Sequence, residues 1–380
     1  MRALACMLCL IACAKKPAAP AARIATTSGE IAIGNLSSQI DGQEALLKRQ
    51  PASVKAMAAQ IELLQARAQY TGSVGDFRRM AQLGDEAVRA APGNSQALIA
   101  RASARAALHR FTLALADLDA ASDLKATRSA RASILQAQGR LDQALKLRHE
   151  AVDEYGNTKT FASLAAAEGA AGDVEGALRD FNASEKAYRD VSPLPIAWLD
   201  FQRGLLFEAH ARFDEAKAAY AAAAERLPSY AQAQSHLAGL LNLRGDRAGA
   251  EAILRPLVSL DDPEYEGQLA AVVTDRGEAA RLRASAAGRY EKLLQEFPEA
   301  FADHAARFYL AFDAARALEL ARVNLSVRGT VEAYDLALSA AGSAGVTDCA
   351  LSSKARALTA VTPRLNMLAG RVCPAAVSLK

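Results

Sequence analysis

Residues 197–230 read AWLDFQRGLLFEAHARFDEAKAAYAAAAERLPSY, and this stretch decides the fold. Gly204 and Phe207 fall on a first predicted helix. A second predicted helix follows and carries Phe213, Ala216, Tyr220, Ala223 and, at its end, Pro228. A glycine on one helix and an alanine on the other let two antiparallel helices approach closely, because contact side chains set the distance between helix axes. The stretch therefore predicts a tight helical hairpin.

An alanine recurs along the whole chain at nearly constant spacing: Ala114, Ala144, Ala177, Ala216, Ala250, Ala286, Ala317 and Ala350, with Met80 in the place of an earlier copy. The successive differences from Met80 onward are 34, 30, 33, 39, 34, 36, 31 and 33 residues. This is the period of a stacked helix-turn-helix repeat. Turn glycines and helix-ending prolines punctuate the copies: Gly139, Gly172, Gly245, Pro92, Pro228, Pro263 and Pro298.

These features resemble the tetratricopeptide (TPR) repeat, whose signature is a large residue, a Leu-Gly, an aromatic, and then an alanine, an aromatic and a proline. The resemblance implies an all-α fold, a right-handed TPR-type α-solenoid of about nine helix pairs between residues 54 and 363. We place a capping helix at 37–50, a C-terminal cap at 364–370 and a tail at 371–380, because such arrays need covered ends. The pairs are predicted at about 54–92, 95–124, 125–157, 158–191, 195–230, 231–264, 265–298, 299–330 and 331–363.

Three places depart from the repeat pattern. Glu168 stands where the family prefers an aromatic residue, and the copy at 265–298 lacks a sharp turn near Gly277. The segment 70–75, Tyr-Thr-Gly-Ser-Val-Gly, is longer than the usual turn. We expect it to form an exposed loop.

The chain begins with Met1 and Arg2, followed by an uncharged apolar run from Ala3 to Ala12 and then Cys13. The run is too short to span a bilayer but has the parts of a secretory signal. Residues 10–13, Leu-Ile-Ala-Cys, closely resemble the lipobox of bacterial lipoproteins. The resemblance implies a signal peptide at 1–12, lipid on Cys13 and a flexible tether at 13–36. A coincidental cysteine is the alternative.

The localisation that follows is the envelope of a Gram-negative bacterium, lipid-anchored at the outer membrane and facing the periplasm. If Cys6 and Cys9 leave with the signal and Cys13 is acylated, only Cys349 and Cys373 remain. An even pair fits an oxidising compartment. The two cysteines either form a disulfide that pins the tail or remain free thiols.

Catalytic chemistry has little support in the sequence. The five histidines fall in different repeats without metal-ligand spacing, and we predict no metal, no cofactor and no catalysis. His304 follows Asp303, but adjacent helix residues do not face each other, so we interpret it as an interhelical histidine. A formal net charge of +3, from 45 basic and 42 acidic residues, gives no support for nucleic-acid binding.

The TPR resemblance implies that the first helices of the repeats line a concave groove for an extended peptide or a partner's helix. The Lys and Asn clamp of the chaperone-binding subgroup is absent. Trp198, Phe201 and Leu205 form a stripe on one helix. The stripe is either a partner-binding anchor in the groove or part of the inter-repeat core.

The sequence thus favours a membrane-anchored, extracytoplasmic TPR scaffold that binds a protein or peptide partner. The alternatives are an assembly factor for an outer-membrane machine, a cytosolic TPR adaptor and an envelope enzyme. A deep pocket that collects carboxylates from adjacent repeats would favour the enzyme.

Overall fold

The computed structural model describes residues 24–358 and 360–374. Within these ranges the chain is all α-helix and turn, without a strand. The helices in chain order are α1 Gly29–Arg49, α2 Val54–Thr71, α3 Asp76–Ala90, α4 Ser95–Ala107, α5 Phe111–Ala120, α6 Leu124–Ala137, α7 Leu141–Tyr155, α8 Thr158–Ala170, α9 Val174–Ala187, α10 Pro193–Ala209, α11 Phe213–Arg226, α12 Ala231–Leu243, α13 Arg247–Leu257, α14 Pro263–Val272, α15 Arg276–Glu296, α16 Pro298–Tyr309, α17 Ala314–Val327, α18 Val331–Ser343, α19 Cys349–Arg356 and α20 Pro363–Val372.

Helices α2 to α19 form nine successive pairs, from α2/α3 to α18/α19, and each pair packs on the next. The prediction of an all-α, TPR-type solenoid is confirmed. Met80 and the recurring alanines from Ala114 to Ala317 are fully buried on the second helices. The ninth copy differs, because Ala350 lies on the first turn of α19 and is exposed, and Ala355 is buried instead.

The pair α10/α11 shows why the repeat requires a small residue. A Cβ atom added to Gly204 would lie closer than 3.0 Å to the ring of Tyr220, which is itself fully buried. Any larger side chain at Gly204 would force the two helices apart, because the ring has no free space to move into. The hairpin predicted from this stretch therefore depends on direct contact between these two residues.

Each end of the array is covered by one helix, α1 at the N-terminal end and α20 at the C-terminal end. Helix α1 begins eight residues before the predicted cap at 37–50, so the last part of the predicted tether at 13–36 is helical instead. The Ser28 side chain accepts a hydrogen bond from the backbone N–H of Ile31 and starts the helix. Leu36 and Ile40 of α1 are buried in one core with Met57 of α2. At the other end, α20 buries its apolar face against α18 and α19.

The solenoid winds so tightly that its successive superhelical turns touch. The backbone N–H groups of Val74 and Gly75 donate to Asp261 at 3.0 and 2.9 Å. The Gly329 N–H donates to the Gln138 carbonyl at 3.2 Å. These contacts join residues 186, 187 and 191 positions apart (261−75, 261−74 and 329−138), which is between five and six repeats.

The expectation of an exposed loop at residues 70–75 is therefore wrong for most of the segment: Gly75 is exposed, but Tyr70 and Thr71 belong to α2 and Gly72 is buried. Gly72 adopts a left-handed conformation, φ 70°, and is buried beside the hydroxyl of Tyr265. The extra turn residues reach the next superhelical turn, where Asp261 satisfies two of their backbone donors.

Candidate functional site

The concave face encloses a cavity of about 1090 Å³. The first helices α6, α8, α10, α12, α14 and α16 line it, and the rest of the wall comes from Gly139, from Leu141 and Arg148 on α7, from Phe181 on α9, and from residues 328–332, 357–358 and 360. The wall closes because Gln138 and Gly139, after α6, meet Gly329, after α17. The groove predicted from the repeats is thus a chamber bounded by seven helix pairs, from α6/α7 to α18/α19.

In the predicted partner-binding stripe on α10, two residues face the groove and one belongs to the inter-repeat core. Trp198 and Leu205 are half-buried and line the cavity. Phe201 is buried in the core, with its ring centroid 5.7 Å from that of Tyr220 and 5.1 Å from that of Tyr230. Of the two aromatic side chains in the stripe, Trp198 is therefore the one that a ligand in the cavity can contact.

Two histidine–carboxylate pairs lie on the cavity wall. His236 on α12 and Glu208 on α10 share a hydrogen bond of 3.0 Å, and Glu208 also accepts one from the Tyr220 hydroxyl at 2.6 Å. His304 on α16 and Glu264 on α14 share a bond of 2.7 Å. Each histidine–carboxylate hydrogen bond thus joins the first helices of two neighbouring repeats along the cavity wall. The partners are 28 and 40 residues apart in the sequence, so no local sequence motif predicts these pairs.

The His304 pair is strongly ionised. The His304 side chain is 37% exposed, to the cavity rather than to open solvent. Burial opposes its charge, but Asp303 and the hydrogen bond with Glu264 outweigh burial and raise the pKa of His304 to about 10. Burial likewise opposes the charge of Glu264, but His304 outweighs it and lowers the pKa of Glu264. This interhelical histidine is therefore a cation on the cavity wall.

Arg148 on α7 is another cation of the wall, which also includes Arg307 and Arg328, and the sequence patterns above did not single it out. The residue is only 6% exposed. One of its terminal nitrogens, Nη2, donates to Ser133 Oγ at 2.7 Å, and its Nε has no hydrogen-bond partner. Among the described residues, no carboxylate lies within 4.0 Å of it. Burial lowers the pKa of Arg148 to about 10, which leaves it charged at neutral pH.

The repeat pattern does contain a signal for Arg148. It lies four residues after Ala144, on the interhelical face of α7. In five other repeats the same position carries a large apolar or aromatic side chain: Leu118, Phe181, Tyr220, Leu254 and Tyr290, each of which is buried. The remaining two copies from Met80 to Ala317 carry the small residues Gly84 and Ala321, so Arg148 is the one charged residue at this position among these eight copies.

The predicted cysteine pair is not among the residues that line this wall. Cys349 at the start of α19 and Cys373 after α20 form a disulfide, with Cα atoms 4.9 Å apart. Cys13 and the predicted signal lie outside the described residues. None of the helices in residues 24–358 and 360–374 has the length and apolarity to cross a bilayer. No three potential metal ligands cluster in the same ranges.

Comparison with known proteins supports the fold and leaves the function open. No family model matches the sequence, and no curated protein matches it. The structure is similar to that of human IFIT1, solved as a dimer with m7Gppp-AAAA, with a TM-score of 0.50 and 15% identity over 87% of this chain and 76% of that one.

Two further structures are similar at lower scores. One belongs to the APC/C hetero-tetramer Cut9-Hcn1, with a TM-score of 0.45 and 14% identity over 83% of this chain. This chain spans 62% of the length of that one. The other is a tetratricopeptide repeat protein from Parabacteroides merdae, with a TM-score of 0.39 and 18% identity over 70% of this chain and 98% of that one. At 15% identity, the similarity to human IFIT1 indicates a shared fold and nothing more.

Proposed function

We propose that this protein is a lipid-anchored TPR scaffold of the bacterial envelope that holds a segment of a partner protein in its central cavity. The observation that carries the proposal is the cavity itself: successive first helices present their side chains to one chamber of about 1090 Å³. A chamber of this size accommodates a side chain cluster or a short peptide segment. Trp198 offers an aromatic surface there of the kind that dominates binding energy at interfaces.

A protein ligand fits the wall better than a nucleic acid does. Human IFIT1 is solved with m7Gppp-AAAA. In the present chain, Glu208, Glu264 and Asp303 line the chamber, and the pKa of each is lowered by charged neighbours although burial opposes ionisation. With Glu332, these carboxylates balance the cations Arg148, His304, Arg307 and Arg328 of the same wall, so the lining carries no excess positive charge to hold a phosphate backbone.

A deep pocket that collects carboxylates from adjacent repeats is the feature expected of an envelope enzyme, and carboxylates from three helices do converge on this chamber. A general base must accept a proton near neutral pH. His304, with a pKa of about 10, already carries its proton there, and Glu208 already accepts two hydrogen bonds. These groups favour binding over proton transfer, and we propose no reaction.

Site-specific photo-crosslinking tests the scaffold function. A photoreactive phenylalanine at Trp198, inside the chamber, is compared with one at Tyr155, which is 53% exposed and outside the chamber. We expect a discrete adduct at Trp198 alone, sensitive to protease and resistant to nuclease. Equal labelling at both positions, or no adduct at Trp198 in cells, would refute the proposed partner site.

The anchor is tested separately, by intact mass and detergent partitioning of wild type and Cys13→Ser. We expect wild type to lose residues 1–12, gain acyl mass and enter the detergent phase. The substitution should abolish both changes. A full-length, unmodified wild-type chain in the aqueous phase would instead support a cytosolic adaptor.

A further inference from the structure

Arg148 is a buried cation in a place where the fold requires none. The equivalent positions of five other repeats hold buried apolar side chains, which fill the space between the two helices of a pair. A charge removed from water without an opposite charge is destabilising, and well-packed apolar residues often replace buried ions without loss. The contribution of Arg148 to folding alone therefore does not explain its presence.

The guanidinium has unused hydrogen-bonding capacity beside the cavity, because its Nη1 makes no hydrogen bond to any described residue and its Nε is buried without a partner. An arginine carries five N–H donors in a planar fork. Ser133 Oγ accepts from Nη2, but that hydroxyl itself donates to the Ser129 carbonyl at 3.1 Å, so it supplies no negative charge. Nε of Arg148 has no partner, and both Arg148 and Ser133 line the cavity.

We propose that Arg148 is the anchor of a ligand site in this cavity, where it binds the carboxylate of an acid with an apolar body. A single guanidinium matches a planar, singly charged carboxylate with two parallel hydrogen bonds. The opposite part of the wall already pairs its own carboxylates with His236 and His304.

The wall next to Arg148 supplies the apolar surface. Gln136 on α6 donates to the Ala166 carbonyl on α8 at 3.2 Å, so these two first helices are in contact. Ala166 is followed on α8 by Gly169, which packs against Leu206 on α10. Small and aliphatic side chains thus continue from the Arg148 position toward Leu205 and Trp198.

This inference goes beyond the scaffold function, because the acid can be the carboxyl end of a partner chain or a free fatty acid. Isothermal titration calorimetry on the mature protein distinguishes the sources. The probes are the peptide acetyl-Ala-Ala-Leu with a free carboxyl end, the same peptide as its amide, decanoate and methyl decanoate. We expect at least one acid to bind, and its neutral counterpart to bind at least about tenfold more weakly, the usual effect of losing a charge-assisted hydrogen bond.

The decisive variant is Arg148→Leu, matched by Arg244→Leu. Arg244 is an exposed arginine that pairs with Asp214 and does not line the cavity. We expect Arg148→Leu to weaken acid binding about 10- to 100-fold while its melting temperature stays the same or rises, because leucine is the residue of the equivalent positions at Leu118 and Leu254. Arg244→Leu should bind like wild type.

Several results would overturn the proposal. These are no binding of either acid, equal binding of an acid and its neutral counterpart, or unchanged binding by a folded Arg148→Leu variant. Unfolding of Arg148→Leu would also contradict it, since it would give Arg148 a structural role. If decanoate binds and the peptide does not, the result would support the Arg148 site and count against a peptide in the chamber. The ligand site and the scaffold function can therefore fail separately.

Discussion

Gly139 tests whether the superhelical turns hold each other in place. Its φ of 78° is left-handed, and a Cβ atom there would lie closer than 3.0 Å to the backbone carbonyl of Gly329 on the next turn. Gly93 has the same φ of 78°, but a Cβ atom there would meet nothing within 4 Å. Alanine at either position pays the left-handed strain of about 1–2 kcal/mol. Only Gly139→Ala also forces two backbones apart.

The difference between the two variants isolates the contact between turns. Overpacking against atoms that cannot rotate away costs about 1–3 kcal/mol. We therefore expect Gly139→Ala to lose about 1–3 kcal/mol more of the free energy of unfolding than Gly93→Ala does. Urea melts followed by circular dichroism measure the loss, and small-angle scattering should show a larger radius of gyration for Gly139→Ala alone. Equal losses with equal radii would refute the stacked turns.

Three further predictions concern packing, charge and the disulfide. Gly204→Ala should lower the free energy of unfolding by about 1–3 kcal/mol, because its methyl group overlaps the Tyr220 ring; Gly239→Ala, where a Cβ atom meets nothing within 4 Å, should be neutral or slightly stabilising in the same urea melts. His304, whose pKa is raised to about 10, contributes stability that is complete below its unfolded pKa of about 6.5 and is lost as the pH rises through 10. The difference in melting temperature between wild type and His304→Gln should therefore shrink from pH 7 to pH 10, and a constant difference would contradict the ion pair. Unreduced mature protein should show no free thiol, and Cys349→Ser should cost about 3 kcal/mol for a closure of 24 residues, seen as faster hydrogen exchange in α20; unchanged exchange there would show that the bridge does not hold the cap.

The sequence predicts the hairpins well because each repeat is a local unit. The recurring alanine marks the second helix of seven pairs, from Ala114 to Ala317, since a small residue at this position is the direct requirement of two helices in close contact. Met80 takes its place in the first pair, and in the ninth pair Ala355 is buried instead of the predicted Ala350. The N-terminal helix was predicted too short because its first part, from Gly29 to Leu36, precedes the repeat pattern. Its start depends on Ser28, a capping residue that stands outside any periodicity.

The cavity could not be predicted in the same way. Its closure depends on the small rotation between successive repeats, which accumulates over five to six copies and leaves no mark in any single one. For this reason the sequence does not show that Gly139 meets Gly329, or that the loop before α3 reaches Asp261. The histidine–carboxylate pairs join the first helices of adjacent repeats, and no sequence motif marks them because the partners are 28 and 40 residues apart. Arg148 is different, because it breaks the pattern of its own repeat and was visible in the sequence.

The most direct test of the closed chamber is a distance across its seam. Spin labels at Arg140 and Glu332, both exposed, stand next to the Gln138–Gly329 contact. The backbone between those sites and the contact limits the separation of their Cα atoms to about 25 Å. Electron–electron double resonance on mature protein carrying Arg140→Cys and Glu332→Cys should give one narrow distribution at short distance. A broad distribution centred well beyond that limit would show an open solenoid and contradict the account.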